Sequence, residues 1–283
     1  RSVLRAFRVD SEPAVFATDK FLTLLPPVPE RGAVPEMKRA PHEKPPKLTR
    51  EEVVKIMKIA LAWTDASSGA ALNGRRLMYH PPTPGLFEGE TNTRCVVVKS
   101  EKEPTYCPED KKIYYDPSFH ERTVTDFWAG SNELTIAYTI FHEVAHAVQD
   151  QLGIYAAFAK AKKKAPDESV SNLMNVALEM QAEFFAAAAI AGVNEARQIF
   201  HEGETENAYW FLASMGDDML QLRVKGKVVP LGFTHGGAQQ RALSFWQGLK
   251  SGNWEQGMDY GKFIKAAALT HSDPGLRSIG EQL

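Results

Sequence analysis

The spacing of apolar residues separates an irregular N-terminal segment from a body built mainly of helices. Val53, Ile56, Met57, Ala60, Leu61 and Trp63 recur at the three-to-four-residue period of one helix face. Thr49, with Glu52 three positions on, forms a capping box at the start of that helix. A second helix is predicted over 132–152, where Leu134, Ala137, Tyr138, Phe141, Ala145, Val148 and Leu152 keep the same period and Gly153 offers a stop. A third is predicted over 169–191, ending before Gly192, and its Ala186–Ala189 run suits close packing on a neighbour. Shorter helices are expected at 194–201, 205–223, 236–249 and 256–268. Residues 65–92, rich in Gly, Pro, Ser and Asn, read as irregular, and two short strands are expected at 94–98 and 112–116. Residues 160–168 carry Lys160, Lys162, Lys163 and Lys164 and read as a solvated break.

Composition changes this picture mainly at the N-terminus. Eight of the 17 prolines fall in the first 50 residues, a density no continuous helix tolerates. Residues 1–48 therefore read as an arm or linker and 49–283 as one folded domain. The arm's Phe7, Phe16, Phe21 and Leu24 suit either docking on the body or a loose tether. Its formal charge is +3 against -5 for the remainder, so the net -2 conceals an asymmetry but makes no case for a nucleic-acid partner. The first residue is Arg1, which leaves room for an upstream leader or membrane anchor. The chain has no uninterrupted apolar run long enough to span a bilayer and is expected to be soluble. Two cysteines exclude a cysteine-based zinc finger and a disulfide-stapled miniprotein. Cys95 and Cys107 flank a turn-rich segment, either as a bridge or as two buried thiols.

The chemistry concentrates in His142-Glu143-Val144-Ala145-His146. Residues four apart share a helix face, so both imidazoles can reach one cation at roughly 2.0–2.1 Å, the range of zinc–nitrogen bonds. Glu143 sits about 100° further round the helix, angled toward a water rather than the ion. Two histidines placed where a core-facing helix wants apolar residues would be costly without a ligand. A third ligand belongs on another element. Glu179 and Glu183 lie four apart among Leu178, Met180, Ala182, Phe184 and Phe185, and by spacing alone either acid qualifies. Gln149 and Leu152 stand where the metzincin pattern needs Gly and His, which excludes that pattern.

The Glu179/Glu183 pair resembles the ExxxD arrangement of thermolysin-like zinc peptidases, the gluzincins. That resemblance implies Glu179 as zinc ligand and Glu183 as the acid that orients a ligating histidine. More of the chain is similar to the bacterial neutral zinc metallopeptidases. The residues that carry this likeness are Tyr106-Cys107-Pro108-Glu109-Asp110 with Ile113–Phe119, the HExxH segment leading into Val148-Gln149, and Glu179–Glu183. Gly216-Asp217-Asp218, Phe233-Thr234-His235-Gly236, Gln240-Arg241 and Ser251-Gly252 complete it over roughly 49–260. Ala145, Ala147, Glu183 and Phe184 depart from the family's usual residues without removing a proposed ligand or base.

The resemblance implies an α+β zincin-like fold, predominantly helical, with a small sheet beside the HExxH helix. It favours a Cys95–Cys107 bridge and an extracytoplasmic bacterial protein, whether secreted, periplasmic or membrane-anchored. The activity implied is zinc-dependent hydrolysis of a peptide or protein substrate. One Zn2+ would be held by His142, His146 and Glu179, with Glu143 as general base and His235 as oxyanion donor. His235 has the alternative of a helix-capping or packing role. Other readings of the whole are a catalytically silent zinc-binding scaffold and a zinc hydrolase acting on a non-peptide amide. The basic arm has a further reading as an inhibitory segment over the acidic body.

Overall fold

The computed structural model describes residues 48–73, 77–99, 103–120, 133–197, 208 and 211–282. The arm, apart from Leu48, lies outside them, as does 198–207, which includes parts of two expected helices. Helix α1 (Arg50–Asn73) opens with the expected capping box: Thr49 N–H donates to Glu52 Oε2 at 2.8 Å and Glu52 N–H to Thr49 Oγ1 at 3.3 Å. It runs to Asn73, through a stretch expected to be irregular. The reason is packing: Thr64 and Ser68 are fully buried, and the Thr64 hydroxyl donates back to Ala60 O at 2.5 Å. Small side chains that resemble a loop in sequence let α1 lie close on its neighbours.

The same irregular stretch also holds two strands, β1 (Thr83–Leu86) and β2 (Glu90–Asn92). β1 (Thr83–Leu86), β4 (Thr105–Cys107) and β5 (Lys112–Tyr115) form a mixed sheet in the order β1-β5-β4, with β1 parallel and β4 antiparallel to β5. Pro84 is tolerated because β1 is an edge strand. β2 (Glu90–Asn92) and β3 (Val97–Lys99) pair antiparallel beside it in a separate ribbon. The strand expected from 94 starts later because Thr93 Oγ1 accepts the N–H groups of Cys95 and Val96 and holds a turn there. Cys95 and Cys107 are disulfide-bonded, Cα–Cα 5.7 Å, tying that turn to β4.

Helix α2 (Glu133–Gln151) ends as expected before Gly153, whose φ of 76° favours glycine. A helix absent from the sequence reading, α3 (Ile154–Lys162), follows at once, so the polar break shrinks to 163–167. α4 (Glu168–Arg197) passes straight through Gly192, which has open space around it and marks no turn. α4 packs against α1, α2 and α3 and against the C-terminal helices. By length and composition it can cross a membrane, yet most of that stretch is buried inside the fold. Its alanine run does pack closely: a Cβ at Gly248 would meet Ala187 Cβ at 2.9 Å.

The chain continues through α5 (Asp217–Lys225), a 3-10 turn (Pro230–Gly232), α6 (Ala238–Ser251), a second 3-10 turn (Trp254–Gly257) and α7 (Tyr260–Leu269). It then forms α8 (Pro274–Gln282), which the sequence reading did not contain. Asp273 Oδ1 caps α8, and Gly280 lets it approach Leu269 closely. The result is a predominantly helical fold with a small mixed sheet beside the helix that carries the two histidines.

Candidate metal centre

α2 and α4 meet at three side chains. Glu179 Oε2 lies 3.2 Å from His142 Nε2 and 3.3 Å from His146 Nε2, and the two Nε2 atoms are 3.1 Å apart. A tetrahedral ion with bonds of about 2.0–2.1 Å needs ligand atoms about 3.3–3.4 Å apart, so the triangle fits one face of such a site. His142, His146 and Glu179 are the candidate metal-binding group among the described residues. His142 and His146 are buried, and Glu179 is nearly so.

One of the two imidazoles, that of His146, is oriented from behind. His146 Nδ1 lies 2.8 Å from Gln149 Oε1, while Gln149 Nε2 donates to Leu178 O at 2.8 Å and Gln181 Oε1 at 3.0 Å. Those donations fix the amide's orientation, so its oxygen accepts from Nδ1–H and leaves His146 Nε2 a lone pair for an ion. His142 Nδ1 is buried without a hydrogen-bond partner among the described residues, and Glu183 Oε2 lies 3.6 Å from it. Two nitrogen lone pairs and a carboxylate directed at one point repel each other unless a cation or proton lies between them.

Glu183 is anchored on its far side. Arg241 donates to Oε1 through Nε at 2.8 Å and Nη2 at 2.7 Å, and through Nη1 to Met215 O at 3.0 Å. Oε2 accepts from Tyr138 OH. Both members of the ion pair are buried, and burial raises Glu183 to about 7 while Arg241 opposes the rise. Glu183 therefore turns away from the triangle and Glu179 completes it, so one of the two acids left open by spacing lies among the ligand atoms. The resemblance drew attention to Arg241 without giving it a role. Its signal was a cation at an apolar period with Ala242 and Phe245. Gln149 carried a similar signal, one turn beyond His146 on the same face.

Glu143 is buried, and its Oε2 accepts the Tyr106 N–H of β4 at 2.6 Å. Burial pushes its carboxyl up to about 8, with Glu179 adding to the rise and His146 opposing it. Burial also lowers His142 to about 4. At His146 burial acts the same way but Glu179 and Glu143 outweigh it, raising the group to about 9. Glu179, facing both rings, is held well below the usual carboxylate range despite its burial. Tyr106 OH and Lys111 Nζ both donate to Asp150 Oδ2, at 2.8 and 2.5 Å, and clamp the sheet to the end of α2. A cavity with ≈ 20 Å³ of room for water centres, enough for about one water, lies against Thr139, His142, Glu143 and Arg241.

His235 is not one of the three residues of the triangle. Asp217 Oδ2 accepts the N–H groups of Thr234, His235 and Gly236 at 2.7, 2.7 and 2.9 Å. Gly216 is required there because a Cβ would meet Ala238 N at 2.3 Å. His235 Nδ1 lies 3.7 Å from Asp217 Oδ1, and the side chain is 47% exposed. Desolvation works against its protonation, but the neighbouring Asp217 carboxylate and the field of Glu179 raise it to about 9.

An HExxH helix completed by a glutamate from a second helix, beside a small mixed sheet, defines a metal-binding protein of the zincin type. The chain belongs to the family described as "Putative neutral zinc metallopeptidase", whose sequence model matches residues 27–260. It is 34% identical over 215 residues to "Uncharacterized protein YpfJ" of Escherichia coli (strain K12), covering 76% of this chain and 74% of that protein. It is 30% identical over 184 residues to "Uncharacterized protein Mb2605" of Mycobacterium bovis, covering 62% of this chain and 61% of that one. No solved structure matches the chain.

Proposed function

We propose that this protein is a zinc peptidase that hydrolyses peptide bonds with Glu143 as general base. The observation that carries the reading is the triangle of His142, His146 and Glu179 with Glu143 one residue away, buried against β4. His142, His146 and Glu179 would hold zinc, which would supply Lewis acidity to activate a water. Glu143, raised by burial, takes a proton from the attacking water and passes it to the leaving amine. The Tyr106 N–H steadies the second face of that carboxylate during the transfer. His235, held at its backbone by Asp217, donates from Nε2 to the developing oxyanion. The substrate is a peptide or protein. The Cys95–Cys107 bridge supports an oxidising, extracytoplasmic location.

The test pairs metal content with turnover. Wild type should hold one zinc and cleave an unfolded protein. Glu143→Gln should hold zinc and cleave nothing, and Glu179→Ala should lose the zinc. Undiminished cleavage by Glu143→Gln refutes the assignment. Equimolar zinc in a wild type that cleaves no peptide, in a screen that includes non-peptide amides, would leave the scaffold reading in its place.

A further inference from the structure

Between α5 and α6 the chain makes an excursion with a closed base and an exposed tip. At the base, Asp217 holds the 234–236 amides and Asp218 Oδ1 accepts Ala238 N–H at 2.8 Å. Further out, Gly226 turns the chain at φ 65°, and Val229 N–H donates to Gln221 Oε1 at 2.7 Å, drawing the return strand against the helix. No acidic residue occurs from Met219 to Thr234, whereas Arg223, Lys225 and Lys227 fall within that stretch. Of the 13 large apolar side chains exposed among the described residues, six lie between 219 and 231. They are Met219, Leu222, Val224, Val228, Val229 and Leu231, with Val224 79% exposed. Aliphatic side chains concentrated in this way at a surface mark something they dock against.

The charge selects the occupant. An isologous contact with a second copy would set the lysines of one tip against those of the other. The segment 1–48 carries +3 of its own and is repelled for the same reason. An anionic bilayer suits both features: aliphatic side chains enter the headgroup–acyl boundary while the lysines meet phosphate groups. We propose that the 219–231 tip docks this protein on an anionic phospholipid surface. His235, at the base of the same excursion, is thereby kept close to that surface. The inference does not depend on the peptidase reading, because binding can be measured without turnover.

The test is cosedimentation of the full chain with phosphatidylcholine vesicles, with and without an equal share of phosphatidylglycerol. Binding is expected only to the anionic vesicles and should fall as salt rises. Lys225→Gln/Lys227→Gln should weaken it by about 25-fold, since each lysine near such a surface contributes about 1 kcal/mol, or about fivefold. Val224→Ser, at a side chain with few contacts to lose, should weaken binding while leaving the melting temperature unchanged. Absence of binding by wild type overturns the proposal. Equal binding by wild type and the tip variants also overturns it, since the attraction would then lie elsewhere in the chain. Tip variants that change the sedimenting mass of the free protein but not vesicle binding would assign the patch to a second copy. Capture of polyglutamate through the two lysines by a vesicle-silent wild type would assign it to an acidic protein.

Discussion

Removing Arg241 tests how the metal centre is supported. Arg241→Met leaves the Glu183 carboxylate, fully buried between α2, α4 and α6, without the guanidinium that donates to it twice. Breaking a buried pair from one side costs about 3–5 kcal/mol, because the partner stays desolvated and uncompensated. In a body of this size that is a fall in Tm of roughly 6–20 °C. Glu183→Leu alone should cost a similar amount, now from an unpaired Arg241. The double variant removes both charges, so its cost should fall below the sum of the two single costs. It leaves the Tyr138 hydroxyl and Met215 O without their present partners, and keeps a deficit of about 1–3 kcal/mol per group for that reason. The assay is urea unfolding of all four proteins in excess chelator, so that metal linkage does not enter. Single variants whose costs simply add in the double, with coupling under about 0.5 kcal/mol, would refute the argument.

Two further predictions concern the supports around the site. Reducing Cys95–Cys107, or replacing both with Ser, releases a loop of sequence separation 12 beside the Tyr106 amide that holds Glu143. It should cost about 2–4 kcal/mol, and a melting temperature indifferent to reductant would show the clip to be dispensable. In metal-free protein the His235 imidazole should titrate near 9, against an ordinary 6.5, and fall back toward 6.5 in Asp217→Asn. Because the folded value is the raised one, the contact's stabilisation is full below about 6.5 and is lost as pH rises through about 9. A wild-type NMR titration midpoint near 6.5 would rule out the Asp217 contact.

The elements that were legible in the sequence are those whose signals are local. The α1 capping box, the Gly153 stop and the i, i+4 placement of His142 and His146 each depend on residues within about one helical turn. The elements that were missed depend on distant partners. α1 continues past Thr64 because its small residues fit against neighbouring helices, and β1 exists because β5 supplies its hydrogen bonds. α4 ignores Gly192 because its packing outweighs the roughly 1 kcal/mol a helical glycine costs.

The same division runs through the site. Sequence alone determined that two imidazoles and a glutamate share one stretch of helix, and that Glu179 and Glu183 share a face of another. Spacing could not choose between those acids, since one turn of helix separates them and both point the same way; the family resemblance implied Glu179. The tertiary structure separates the two, through Arg241, 58 residues from Glu183 in sequence. A buried carboxylate goes where a cation compensates its lost hydration. Arg241 holds Glu183 on one side, and Glu179 is left to face the two imidazoles.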